Sequence, residues 1–258
     1  MSIIDRRKHE KEQRRNDIIR AAEKLFFSKG YENVSLDEIA KKVDLGRSTL
    51  YLYFGNKEEL FFAIVLRGTV ILYSLIKNET EKANTGLEKL AAFRKGYYEF
   101  ARAHPDYLKI YNYFMSGRFD LDKIEDDEHK IEHIEHSKYY SEYKKLIEES
   151  RSLANFPTPK FTLSQYLHEI LTLRRQMLDI LCEAIKQGIE EGNIRSDVNP
   201  VEATALLTLI ANSLDNMPPD LQSLLESQNI SHEQFLMDVG DFIGYMVSNK
   251  VSKVDKSE

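Results

Sequence analysis

One cysteine, Cys182, stands in the 258 residues of this chain. That scarcity excludes an internal disulfide and any cysteine-based zinc site, and the place of Cys182 on an apolar helical stripe fits a small buried hydrophobe. Also missing are a Gly-rich phosphate loop, a nucleophile elbow and an HExxH-type motif, so no common catalytic machinery is visible and no cofactor is implied. No run approaches the ~18 to 20 uninterrupted apolar residues of a membrane helix, and the first residues are charged rather than signal-like. The expectation is a cytoplasmic protein that is neither an enzyme nor membrane-bound.

Apolar residues make up 42% of the chain, enough for a real core in one or two domains. The net charge of -6 is unevenly spread. Residues 1–67 hold 14 Lys and Arg against 11 Asp and Glu, a net +3; the remainder holds 22 against 31, a net -9. A basic head on an acidic body suits contact with a polyanion through the head alone.

Residues 35–60 read as two short helices, a tight turn and the start of a longer helix. Ser35 with Glu38 is a capping box, so a helix starts at Leu36, and Val34 with Ile39 can clasp as a hydrophobic staple. Leu45 and Leu50 repeat the clasp around Gly46, which places a second helix start at Arg47. Asn56 with Glu59 is another box, and Gly55 breaks the preceding helix at about Phe54. On a helical wheel Leu50 and Phe54 point inward, Ser48, Thr49 and Leu52 point away, and Arg47, Tyr51 and Tyr53 flank them. Such a unit suits a recognition helix in the major groove. There Arg47 can take guanine or phosphate, Ser48 and Thr49 base edges or phosphates, and Leu52 a thymine methyl. Tyr51 and Tyr53 can equally be core aromatics.

The run Thr49-Leu50-Tyr51-Leu52-Tyr53-Phe54-Gly55-Asn56-Lys57-Glu58-Glu59-Leu60, with Ile18 to Phe26 and Gly30-Tyr31 before it, closely resembles the N-terminal domain of the TetR family of bacterial transcriptional regulators. The resemblance covers about residues 14–66. It implies that Ser35 and Lys57 hold phosphates, that Tyr51 and Tyr53 pack along the sugar-phosphate edge, and that Arg47, Ser48 and Thr49 face bases. Gly46 departs from the family, where Ser or a similar capping side chain is common, and Leu52 stands where a polar or aromatic residue is common.

Before the head, residues 1–14 form a basic extension, either a helical prolongation or a flexible arm that adds salt-sensitive phosphate contacts. The head itself spans 15–66, and its first helix carries Ile18, Ile19, Ala22, Leu25 and Phe26 on one stripe and ends at Gly30. From Asn56 the fourth helix runs to about Asn78, too long for the head alone. Residues 67–258 make the remaining body. Aromatic-rich helices over 87–103 and 106–117 offer Phe93, Tyr97, Phe100, Tyr111 and Phe114, and a strong amphipathic helix over 162–191 offers Arg174. Together these are candidates for an effector pocket, against the alternatives of core aromatics and a snorkelling arginine.

Residues 118–160 look like an insertion relative to shorter TetR-type chains, with a weakly apolar extra helix and a loop at 155–159. His129, His133 and His136 share a helical face there, a spacing that can hold a metal or simply be solvated. The helices over 201–214 and 233–246 are apolar almost all round and have no sequence left to cover them, which argues for a homodimer through helices at about 200–215 and 232–247. The fold class is therefore all-α, an N-terminal three-helix helix-turn-helix domain followed by a helical ligand-binding and dimerisation domain. The function expected is sequence-specific regulation of transcription on double-stranded DNA, as a repressor released from a near-palindromic operator by a small, largely apolar effector. A metal-responsive regulator using the histidine face and a helical protein-binding adaptor are the alternatives.

Overall fold

The computed structural model of the protein describes residues 3–119, 162–215 and 217–249. Among them regular structure is helical, apart from one isolated antiparallel bridge between Ile194 and Ser248. The insertion's histidine face, its extra helix and its loop lie outside the described residues.

Helix α1, Ile3–Lys29, includes the basic extension, which is thus a helical prolongation rather than an arm. It stops at Gly30, whose left-handed φ of 76° lets its amide fold back to the Phe26 carbonyl at 2.8 Å. Helix α2, Leu36–Lys42, begins at Ser35, whose Oγ accepts the Glu38 amide at 3.2 Å. The reciprocal half of that capping box is not formed, because the Glu38 carboxylate accepts the Lys29 ammonium of α1 instead. Helix α3 is only Arg47–Tyr51, three residues shorter than the sequence predicts. Beyond Tyr51 the chain tightens into a turn in which the amides of Tyr53 and Phe54 both reach the Leu50 carbonyl, at 2.9 and 3.1 Å. Helix α4, Lys57–Thr80, starts under Asn56, whose Oδ1 accepts the Glu59 amide at 2.7 Å. The Glu59 carboxylate then accepts the amide of Gly55, at 2.8 Å, rather than that of Asn56.

The remaining described helices are α5 (Gly86–Ala103), α6 (Pro105–Met115), α7 (Leu163–Glu190), α8 (Pro200–Asp215), α9 (Pro219–Ser227) and α10 (His232–Val247). The chain forms two compact units, residues 1–74 with 100–174, and residues 75–99 with 175–258. The first unit is built on one apolar core: Ile18, Ile19, Ala22 and Phe26 of α1, Ile39 of α2, Leu50 and Phe54, Leu60 to Leu66 of α4, Ile110 and Phe114 of α6, and Tyr166, Leu167, Ile170 and Leu173 of α7. Helix α4 is long and apolar enough to cross a membrane, yet 83% of its apolar window is buried in protein, which is what its composition serves. Within that run Arg67 is buried. Its Nη1 donates to Glu23 Oε1 of α1 at 3.0 Å, and the same oxygen accepts the Tyr107 hydroxyl of α6 at 2.6 Å.

In the second unit α5 and α7 cross in backbone contact. A Cβ on Gly86 would fall 2.3 Å from the Gly188 nitrogen, so glycine is required there, while one on Gly188 would meet the Ile194 side chain at 2.5 Å and force it to move. Cys182 on α7 is half-buried and does not sit in the core as its stripe suggests. Helix α9 was not expected, although Pro219 in its first turn and Leu221, Leu224 and Leu225 at helical spacing mark it. Exposed apolar side chains gather on α8 to α10: Val201, Leu206, Leu209, Leu221, Leu224, Met237, Phe242, Tyr245 and Met246.

Candidate nucleic-acid interface

Leu50 and Phe54 are fully buried and pin α3 to α1 and α4. That anchoring leaves Arg47, Ser48, Tyr51 and Leu52 exposed and Thr49 half-exposed, as the wheel predicts. Leu52, 72% exposed, is the most open large apolar residue of the head among the described residues. Tyr53 turns the other way and packs against the core edge.

The polar candidates are not idle. Arg47 Nη1 lies 3.2 Å from Asp37 Oδ2 on α2, and its Nη2 donates to the Tyr51 hydroxyl at 3.3 Å. The Tyr51 hydrogen bond, then the Asp37 charge, push the guanidinium above its ordinary value, so Arg47 is a cation at every relevant pH. Lys57 sits over the Tyr31 ring, its Nζ 4.1 Å from the centroid. Burial holds Lys57 below the usual lysine range, opposed by the charge of Glu32. Ser35 uses its oxygen lone pair on the Glu38 amide, which leaves its hydroxyl proton free to donate outward. Gly46, with φ -68° and ψ 148°, presents only backbone, and a Cβ there would meet nothing nearer than 4.0 Å. Asp37 and Tyr31, the intramolecular partners of Arg47 and Lys57, escape sequence reasoning because both pairings are tertiary.

The effector candidates divide between the units. Phe100 and Phe114 of the first unit are core residues, with Phe114 edge-on to Phe62 at 5.3 Å. Tyr111 is buried and accepts from Arg174 Nη1 at 2.7 Å; that nitrogen also lies 3.1 Å from Met115 Sδ. Burial raises the Tyr111 hydroxyl above its ordinary value, and Arg174 opposes the shift. Phe93 and Tyr97 are half-buried on α5 in the second unit.

A three-helix head whose third helix is anchored by two apolar residues and bears a polar, basic outer face defines a helix-turn-helix protein with an all-helical body. Residues 18–64 match the family described as bacterial regulatory proteins, tetR family. The likeness to that family rests on these residues of the head. It is 31% identical over 105 residues to the HTH-type transcriptional regulator YhgD of Bacillus subtilis, covering 38% of this chain and 51% of that one. It is 27% identical over 90 residues to the HTH-type transcriptional activator FasR of Mycolicibacterium smegmatis, covering 35% and 41%. The chain therefore spans about half the length of the curated relatives it matches. Its fold is similar to that of AibR in complex with isovaleryl coenzyme A and operator DNA, with a TM-score of 0.56 and 18% identity over 91% of this chain and 98% of that one.

Proposed function

We propose that the protein is a cytoplasmic, homodimeric, sequence-specific DNA-binding regulator of transcription, a repressor released from a near-palindromic operator by a small, largely apolar ligand. The carrying observation is the outer face of α3, where Arg47, Ser48, Tyr51 and Leu52 are exposed above a buried Leu50 and Phe54. Arg47, Ser48 and Thr49 face bases in this reading, Ser35 and Lys57 take phosphates, and Tyr51 lines the sugar-phosphate edge, while Tyr53, packed against the core, supports the turn behind it. The exposed apolar side chains of α8 and α10 support a dimer, since Leu206, Leu209, Met237, Phe242 and Met246 would otherwise stay in water. Support for a small-molecule effector comes from the similarity to AibR, crystallised with an acyl coenzyme A, and from the buried Tyr111–Arg174 pair.

Selection of bound duplexes from a random library, followed by footprinting of the winner, tests this. Recovery of a two-fold symmetric site protected over successive major grooves is the expected result; a pool with no enrichment and no salt-dependent binding overturns the DNA reading. Acyl coenzyme A thioesters added to the complex then test release. Unchanged operator affinity in the presence of a bound thioester overturns the coupling.

A further inference from the structure

Helix α1 begins before the head does. Arg15, buried with 5% exposure, fixes the helix to the head: its guanidinium lies 4.4 Å from the Phe54 ring centroid, and its Nη2 donates to the Tyr166 hydroxyl. Phe54 closes the turn three residues beyond the end of α3, so Arg15 of α1 sits by the segment that follows the recognition helix. The twelve residues from Ile3 to Arg14 continue as uninterrupted helix, in which Arg6, Arg7 and His9 to Arg14 are exposed.

Charge on that projection is sorted by face. At 100° per residue Arg7, Lys11 and Arg14 fall within about 60° of one another, on the line that Ile18 continues into the core. All three are exposed. The acids lie elsewhere: Glu12 is roughly 130° from the stripe, and Glu10, at its margin, is turned to Arg6 at 3.5 Å. Among the described residues no carboxylate is paired with Arg7, Lys11 or Arg14. The stripe is about 10 Å long at 1.5 Å per residue, and a duplex carries one phosphate charge per ~1.7 Å of axis. Three long cations on one face of a helix docked by the segment that follows α3 match such a lattice without needing any particular base.

We propose that Arg7, Lys11 and Arg14 form a second DNA contact, a phosphate clamp that grips the duplex backbone outside the segment read by α3. It rests on the DNA-binding reading of the head and extends it to a surface with no base-reading role. Its signature is electrostatic. Each phosphate contact adds ~0.9 to the slope of log affinity against log salt, so three contribute a further loss of about 40-fold per bound subunit between 50 and 200 mM salt.

The test is fluorescence anisotropy of the full chain on a random-sequence 40-bp duplex over that salt range. The variants are Arg7→Ala/Lys11→Ala/Arg14→Ala and, as a charge-preserving control, Arg7→Lys/Arg14→Lys. A clamp predicts that the alanine variant loses about 40-fold less affinity per bound subunit across the salt range than the wild type. Its deficit should be the same on unrelated sequences, and the lysine variant should behave as wild type. Equal salt slopes for wild type and alanine variant overturn the clamp while leaving the head's reading intact. A wild type with no salt-dependent duplex binding overturns the reading itself. A slope that falls equally in the lysine variant makes the effect one of helix structure and also overturns the clamp.

Discussion

Replacing Arg67 by alanine removes the cation from the one buried charged cluster that ties α1, α4 and α6 together. The side chains of Arg67 and Glu23 are 7% and 11% exposed, and Glu23 Oε1 takes two donors, the guanidinium at 3.0 Å and the Tyr107 hydroxyl at 2.6 Å. Without Arg67 the carboxylate stays buried with a single neutral donor, a situation that costs about 3–5 kcal/mol. Tyr107→Phe leaves the ion pair and removes one hydrogen bond to a charged group, worth about 1.5–3 kcal/mol. A Glu23→Leu/Arg67→Met double replacement buries no charge and should cost less than the sum of the two single changes. Against a typical total stability of about 5–15 kcal/mol, the single loss is large. Urea unfolding followed by circular dichroism, at one fixed protein concentration so that any self-association contributes equally, measures these three variants and the Glu23→Leu and Arg67→Met singles. A cost below about 1 kcal/mol for Arg67→Ala, the range of exposed pairs, would refute the buried-latch argument, as would additivity in the double replacement.

Further outcomes follow from other sites. Arg47→Ala should weaken binding to the selected operator about 5- to 150-fold with a smaller loss on unrelated duplex, while Asp37→Asn, which releases Arg47, should tighten binding; an equal loss on all sequences makes Arg47 a phosphate contact. Burial holds the His104 imidazole below its usual range, so its neutral form favours the folded state. The stability it contributes is present above about pH 6.5 and is lost as pH falls through the lower folded value. Urea midpoints measured from pH 7 down to pH 5 should fall less steeply in His104→Asn, and parallel curves remove the residue from the account. Gly188→Ala drives a methyl into Ile194 and should cost about 1–3 kcal/mol; a neutral result means α7 can shift away. Under the proposed dimer, Phe242→Asp on the exposed face of α10 should halve the wild-type mass in light scattering, and an unchanged mass rejects α10 as the contact.

What the sequence made legible was local. Caps act within four residues, so the starts of α2, α3 and α4 could be read from Ser35, Gly46 and Asn56, and Leu50 and Phe54 declared their burial through spacing. The same boxes misled at their second halves, since Glu38 found Lys29 across the head and Glu59 found Gly55. The length of α3 was overestimated because a wheel continues through Phe54, whereas the backbone leaves the helix once Tyr53 and Phe54 share the Leu50 carbonyl. Arg67 is the one charge in Phe61 to Ile76, and its burial requires a partner. Its partner, Glu23, lies 44 residues away, and no local rule reaches it. For Phe100 and Phe114 the density of rings said aromatic cluster, and only packing could say core.

The intramolecular pairings of the head bear on how it would discriminate among sequences. Arg47 is held by Asp37 and Tyr51, Lys57 by the Tyr31 ring, and Ser35 by the Glu38 amide. For Ser35 the exchange on binding is free, because the hydroxyl donates outward while its oxygen keeps the cap. Arg47 is different: it must leave a carboxylate before it can meet a base. A guanine edge offering two acceptors replaces both lost contacts, whereas a site offering one acceptor, or a thymine methyl, does not. Asp37 therefore subtracts from every complex but subtracts least where Arg47 finds a bidentate partner, so its presence lowers affinity and widens the gap between right and wrong sites. On this argument Asp37→Asn should raise affinity more on unrelated duplex than on the operator. A uniform gain on both would mean that Asp37 acts only through long-range repulsion of phosphates and that the pairing with Arg47 contributes nothing to specificity.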